Sequence, residues 1–237
     1  MLEKYQLPNG RGNIFVLNDG LRYRLGSKQR VTGKYVQKKM AEGYSEFVYS
    51  SSSETAGGYA LAQAATENGA KAALFMVGTR LPPQSWGLTQ LVHIELLHMS
   101  MEEADRIATE YILQDPKRLR VPFGIHDLDY TNLLRENLSL DPDVRSLNGK
   151  RIWITAGSGT LLSVLLEILP ESTFLAVQVG KSLPDLGPRV KIYYAPEKFT
   201  APAEYLPPWR SLANYDAKSY RFILQDGQDG DVVWIVM

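Results

Sequence analysis

The stretch EFVYSSSSETAGGYALAQAATENGAKAALFMV, residues 46–77, decides the fold. EFVYS at 46–50 is short, apolar and aromatic, as a buried strand is, and SSSE at 51–54 gives it a polar exit. The alanines of TAGGYALAQAATENG at 55–69 favour helix, whereas the paired glycines lower helix propensity and imply a tight turn or a close backbone contact. KAALFMV at 71–77 is apolar again and reads as the next strand. Strand, loop, helix, strand is the order of a parallel α/β unit and not of a helical bundle.

The same reading extends in both directions. Upstream, IFVL at 14–17 is a short strand, NDG at 18–20 a turn, and RVTGKYVQKKMAE at 30–42 a helix with Val31, Tyr35 and Met40 inward. Gly43 stops that helix in the left-handed region. Downstream, mixed periodicity leaves 80–99 open between strand and helix. MEEADRIATEYILQ at 101–114 is a helix closed by Asp115-Pro116, and YTNLLREN at 130–137 is another. RIWIT at 151–155 is a strand that runs through AGSGT into the helical LLSVLLEIL at 161–169, and TFLAVQV at 173–179 and VKIYYA at 190–195 are strands. KSYRFILQ at 218–225 and DVVWIVM at 231–237 read as two late strands, and the proline-rich 196–210 as a surface loop or flap.

Composition narrows the chemistry. The chain has 237 residues, with 26 basic and 26 acidic side chains, so no net field holds a polyanion. Absence of cysteine excludes disulfides, thiolate metal sites and cysteine nucleophiles. His93, His98 and His126 lack the spacing of a zinc protease, and no metal is expected. No apolar run approaches the ~20 residues of a membrane helix, and the N-terminus lacks a signal segment, so a cytoplasmic protein is the expectation. A chain of this length buries roughly 70% of its unfolded surface, as one unit over 1–237 or as two intimately packed lobes.

Three spaced segments carry a resemblance: GSKQR at 26–30, SSSSETAGGYALAQAA at 50–65 and TAGSGT at 155–160. Together they resemble the pyridoxal-phosphate enzymes of fold type II, the tryptophan-synthase beta-like superfamily. The likeness is greatest to the branch of 1-aminocyclopropane-1-carboxylate deaminase and D-cysteine desulfhydrase, in a shortened form. The implied fold is a three-layer α/β architecture on a parallel sheet, with a reduced or rearranged smaller lobe. The implied cofactor is pyridoxal 5'-phosphate.

By that resemblance Lys28 is the lysine that forms the cofactor imine, and its catalytic work needs a neutral amine, which burial or nearby cations favour. Arg24 and Arg30 are near in sequence. Ser53 and Thr55 stand where the family orients ring, phosphate or substrate, and Ser53 is a catalytic candidate. Glu54 replaces the family's amide, and an ionised glutamate there repels the cofactor's phenolic oxygen unless it is turned away, protonated or paired with a cation. The blander reading of residues 53–55 is a helix cap.

Gly157, Ser158, Gly159 and Thr160 form the physically clearest feature, a small-residue loop between strand and helix whose amides and hydroxyls suit a phosphate. It is no P-loop, because the terminal lysine is missing, and it is no dinucleotide fingerprint. In PFGIHDLDYTNLLRE at 122–136, His126 and Asp127 are candidates for orienting a substrate ammonium or exchanging a proton, and Asp129 for capping the next helix. YDAKSYRF at 215–222 places Asp216 and Lys218 in a contact within one lobe, and no acid or hydroxyl in DVVWIVM matches the family's partner for the pyridine nitrogen.

The function so implied is a lyase or deaminase acting on an amino acid or amino-acid-like amine, which displaces Lys28 from the cofactor. A phage-type enzyme, such as a decarboxylase of an amino-acid-modified nucleotide or DNA base, is one alternative, and a catalytically inactive cofactor-binding or structural protein is another. An interaction module with coincidental motifs is a third. A homodimer would resemble the wider family.

Overall fold

The computed structural model describes residues 2–82, 92–180 and 182–237. Strands among them are β1 (Glu3–Gln6), β2 (Asn13–Asn18), β3 (Glu46–Ser52), β4 (Lys71–Val77), β5 (Val92–Leu97), β6 (Arg118–Arg120), β7 (Arg151–Ala156), β8 (Thr173–Gln178), β9 (Val190–Tyr194) and β10 (Val232–Ile235). The helices are α1 (Asp19–Arg22), α2 (Gln29–Ala41), α3 (Ala56–Glu67), α4 (Met101–Ile112), α5 (Leu128–Leu140), α6 (Pro142–Arg145), α7 (Thr160–Ile168) and α8 (Tyr220–Asp226). This is the expected α/β class. The chain divides into one unit of Lys28–Leu133 and another of Met1–Ser27 with Leu134–Met237.

The 28–133 unit holds a parallel sheet in the order β5-β4-β3-β6, with Glu46 opposite both Lys71 and Arg118. Side chains alternate across such a sheet, so each face needs its own cover. Val48, Ala73, Phe75 and Leu97 pack with Ala104 and Ala108 of α4 on one face. Tyr49, Leu74 and Met76 point the other way, against Gly57 and Gly58 of α3. The paired glycines are therefore the close backbone contact that the sequence implied. α4 opens with a reciprocal cap, Ser100 accepting from the Glu103 amide while Glu103 accepts from the Ser100 amide. The undecided 80–99 segment contains β5, and its residues 83–91 lie outside the described ones.

The second unit carries a six-stranded sheet, β1-β2-β10-β7-β8-β9, in which only β1 is antiparallel to its neighbour. β10, last in the chain, sits between β2 and β7. On one face Val16, Val233, Trp153 and Leu175 lie side by side and meet Trp209 and Ile223. Tyr193 packs at 5.2 Å from Trp153 and 5.0 Å from Phe222, while Tyr194 is exposed, because neighbouring side chains on a strand face opposite ways.

Two local expectations are overturned. The 218–225 segment is no strand: Asp216–Ser219 makes a 3-10 turn and Tyr220–Asp226 is α8. Its aromatic and branched residues imitate a strand, but Tyr220 and Ile223 are drawn to the same apolar face, where Tyr220 meets Trp209 at 5.3 Å. The 18–20 turn is instead the start of the one-turn α1, because Asp19 is pulled inside, accepting from Ser27 Oγ at 2.6 Å and from the Trp234 indole at 3.3 Å.

Asp231 ties the beginnings of β7 and β10. Its buried carboxylate accepts from the Trp153 indole at 2.7 Å, from Arg151 Nε at 2.9 Å and from the Gln228 amide at 3.0 Å. Removing it leaves the Trp153 indole N–H without its partner in the core and takes from Arg151 its carboxylate. Asp231→Ala is expected to cost about 3 kcal/mol, read from the midpoint of urea unfolding; an unchanged midpoint would refute this role.

Candidate active site

Gly26 adopts φ +65°, and a Cβ there would sit 1.9 Å from the Val236 carbonyl, so only glycine allows this approach. Ser27 then donates its amide to that same carbonyl at 2.8 Å. The next residue, Lys28, leads into α2. Its carbonyl accepts from Thr32 Oγ1 and, at 3.2 Å, from the Tyr130 hydroxyl. Its Nζ donates to the Gly124 carbonyl and stands 5.4 Å from the Tyr130 ring centroid. Loss of water around an amine whose partner is a neutral carbonyl lowers its pKa to about 7. Near neutrality much of it is therefore unprotonated, the state a carbonyl-attacking amine needs.

The Gly124 turn is unusual. Gly124 has φ +71° and Ile125 φ +52°, the latter the single non-glycine residue of positive φ among the described residues. A branched side chain in the left-handed region costs about 1–3 kcal/mol, which the surroundings must offset. Ile125 is fully buried. The Gly124 amide donates to the Tyr49 hydroxyl at 2.9 Å, and the Ile125 amide to the Pro122 carbonyl at 2.9 Å. His126 follows at the exposed end of the turn, two residues beyond the carbonyl that receives Lys28. The expected helix cap is corrected here: Asp127, not Asp129, accepts the Asp129 amide at 2.9 Å. Asp129 instead pairs with Lys39 at 2.6 Å and Lys38 at 3.5 Å, which holds its carboxyl below the usual range.

At the end of β3, Ser53 is buried, its amide donating to the Val77 carbonyl and its carbonyl accepting from the Tyr59 hydroxyl at 2.7 Å. Its Oγ lies against Gly78, where a Cβ would come within 2.1 Å of it. Thr55 occupies the cap position of α3 but turns its hydroxyl back, 2.7 Å from Ser51 Oγ and 2.9 Å from the Ser52 carbonyl. The side-chain cap read at 53–55 is thus not made by Thr55, and the first-turn amides of α3 are left without it. Glu54 is held by a cation, Arg80 Nε lying 3.5 Å from its carboxylate. Pairing with a cation was one of the conditions under which a glutamate is tolerable at that position.

In the other unit, β7 ends in the 157–159 loop. A Cβ on Gly157 would meet the Tyr215 hydroxyl at 3.1 Å, and Gly159, at φ +78°, stands at the cap position of α7 without a side chain to offer. Ser158 Oγ and Thr160 Oγ1 lie 3.1 Å apart. Bare glycine and paired hydroxyls stand at the start of this nine-residue helix, whose first amide donates to Ser158 Oγ at 3.5 Å, an arrangement chemically suited to an anion.

Asp216 is a buried acid that sequence reasoning assigned only to a contact with its surroundings. Its two oxygens accept the Val236 and Met237 amides at 2.9 Å each. Burial, with Asp19 nearby, pushes its pKa up to about 7. Lys218 points elsewhere, to the carbonyls of Lys198 at 2.8 Å and Phe199 at 3.1 Å, so it fastens the 196–210 excursion. Lys28, Ser53, Thr55 and His126 thus belong to the 28–133 unit, and Gly157, Ser158, Gly159 and Thr160 to the other. The Tyr49–Gly124 contact escaped sequence reasoning, since 75 residues separate the partners and nothing in the residues around either points to the other.

No family model and no curated protein matches the chain. Solved structures do. A homologue of ACC deaminase is 16% identical with a TM-score of 0.76, over 99% of this chain and 88% of that one. A hydrogen sulfide-producing enzyme from Fusobacterium nucleatum is 13% identical with a TM-score of 0.70, over 100% and 92%. O-acetyl serine sulfhydrylase isoform 3 from Entamoeba histolytica is 14% identical with a TM-score of 0.69, over 100% and 84%. The chain has fold type II. Among the described residues no helix is long and apolar enough to cross a membrane, and no cluster of three or more histidine or acidic side chains is arranged to hold a metal ion.

A lysine whose pKa lies near 7 reacts with an aldehyde at a rate that rises with pH through about 7 and then levels off. Reductive methylation of the protein with formaldehyde, followed on the Lys28 peptide by mass spectrometry, is expected to give that profile. A rate still climbing above pH 9 would show an ordinary lysine, whose midpoint lies near 10.4.

Proposed function

We propose that this protein is a pyridoxal-phosphate-dependent lyase or deaminase acting on an amino acid or a related amine. One observation carries the reading: the Lys28 amine, at the position of the family's cofactor lysine, has a carbonyl for its partner and a pKa lowered to about 7 by burial. The fold likeness to a deaminase homologue and to a hydrogen sulfide-producing enzyme adds to it.

The donor set fits a phosphorylated pyridine aldehyde. A dianionic phosphate suits the 157–160 loop, where the Ser158 and Thr160 hydroxyls stand at the start of α7 and Gly157 and Gly159 carry no side chain. A neutral amine suits an aldehyde carbon. When bound, pyridoxal phosphate withdraws electrons from a bond to the substrate carbon that carries the amino group. The chain's own part is to hold and to move protons. Ser158 and Thr160 donate to phosphate. The first-turn amides of α3, with Ser53 and Thr55 beside them, suit a substrate carboxylate. The Lys28 amine, whose acceptor is the Gly124 carbonyl, would take or return a proton at the substrate carbon. His126 is a second group for proton exchange.

Pairing of Glu54 with Arg80 answers one objection to an active enzyme, because a carboxylate engaged by a guanidinium repels a neighbouring anion less. The balanced charge gives no net field to draw in a nucleic acid, so a small amine is the simpler substrate.

Borohydride reduction of the protein reconstituted with pyridoxal phosphate, followed by peptide mapping, is the test. A phosphopyridoxyl adduct on Lys28, lost in Lys28→Ala, is expected, and its absence from the wild type would sink the proposal. Gly157→Val should drive a side chain toward Tyr215 and weaken retention of the cofactor about tenfold, near 1.4 kcal/mol; unaltered retention would remove the loop from the site. Release of ammonia or a keto acid from a panel of D- and L-amino acids separates an active enzyme from an inactive binder.

A further inference from the structure

The paired glycines of α3 and the strained turn at 124–125 meet in one side chain. Tyr49 is 1% exposed. Its ring lies across α3, where a Cβ at Gly57 would come within 2.9 Å of its hydroxyl oxygen and one at Gly58 within 3.1 Å of its Cδ1. Alanine at Gly57 would press on the hydroxyl, and alanine at Gly58 on Met76 Cε at 2.8 Å as well as on the ring. The hydroxyl reaches across the unit to accept the Gly124 amide at 2.9 Å. The carbonyl of that same glycine receives Lys28 Nζ. Amide and carbonyl flank one Cα, so fixing the first orients the second. Ile125 next door holds a left-handed conformation that a relaxed chain abandons.

We propose that Tyr49 is a positioning residue for the reactive amine, acting through the Gly124–Ile125 turn. It holds the turn in its strained form, and the turn holds Lys28 aimed and ready to attack. The hydroxyl remains un-ionised at neutral pH, since burial pushes its pKa up to about 12 against the opposing influences of the Gly124 amide and of Arg120. This assignment rests on Lys28 being the amine that meets the cofactor, and it adds a residue outside every motif. The glycines of α3 then have a purpose that helix propensity alone opposes: they make room for this ring.

The test compares wild type, Tyr49→Phe, Gly57→Ala and the double variant as apoproteins. Two quantities are measured: the rate at which Lys28 condenses with pyridoxal phosphate, followed by absorbance and borohydride mapping, and the affinity for pyridoxamine phosphate, which has no aldehyde. Tyr49→Phe is expected to slow condensation about tenfold while pyridoxamine phosphate affinity stays within about twofold of wild type. Gly57→Ala, which displaces the hydroxyl without removing it, should slow condensation similarly. In the double variant the two effects should not multiply, because the alanine then has no hydroxyl to push.

Condensation at the wild-type rate in Tyr49→Phe would overturn the inference. So would equal losses of condensation rate and pyridoxamine phosphate affinity, the signature of a generally weakened fold, or multiplicative effects in the double variant. A wild type that forms no adduct on Lys28 would remove the functional proposal and this inference together. A wild type that forms the adduct while the Tyr49 variant matches it would remove the inference alone.

Discussion

A lysine amine taken out of water with a peptide carbonyl for its partner holds its proton weakly. The carbonyl contributes one hydrogen bond to the ammonium form, whereas a carboxylate would supply a full opposite charge and hold the proton more firmly. Lys28 is placed under that constraint, and much of the surrounding chain serves to keep it there. Gly26 permits the backbone to pass the Val236 carbonyl, Ser27 fastens it, and Tyr130 and Thr32 take up the Lys28 carbonyl. Contrast Lys39, whose partners are Asp129 and Glu42 and whose proton is held more firmly than usual. The two lysines are eleven residues apart on or beside one helix. Their surroundings give them opposite chemistry.

Helix beginnings are the second recurring device. α4 is closed by its own serine and glutamate, as suits a helix whose end has only stability to serve. Neither α3 nor α7 has such a cap. Thr55 turns its hydroxyl toward β3, and Gly159 has none. The positive ends of helices favour anions, and both helices follow the carboxyl ends of parallel strands, where open α/β sheets place their ligands. Leaving a cap unmade costs about 1 kcal/mol.

Much of this was legible in the residues. The order of strands and helices over 46–77 follows from apolar periodicity, and the 157–160 loop declares itself by residues that only a turn or a ligand requires. The errors share a cause. KSYRFILQ has the branched and aromatic character of a strand, yet it forms part of a 3-10 turn and α8 because it packs on Trp209 and the sheet. Asp129 is well placed to cap α5 by spacing alone, but two lysines from α2 claim it. In each case a distant neighbour outweighed a local preference worth about 1 kcal/mol.

What the sequence determined by itself was whatever depends on residues close along the chain: element order, the glycine turns, the absence of thiol chemistry, and a lysine following a small-residue bend. The tertiary structure alone decided that β10 lies in the middle of its sheet, that Tyr49 holds a turn 75 residues away, and that Lys28 sheds its proton near neutrality. The reason is physical. Periodicity and backbone freedom are properties of a short segment, whereas desolvation and hydrogen-bond partnership are properties of whatever the folded chain brings alongside.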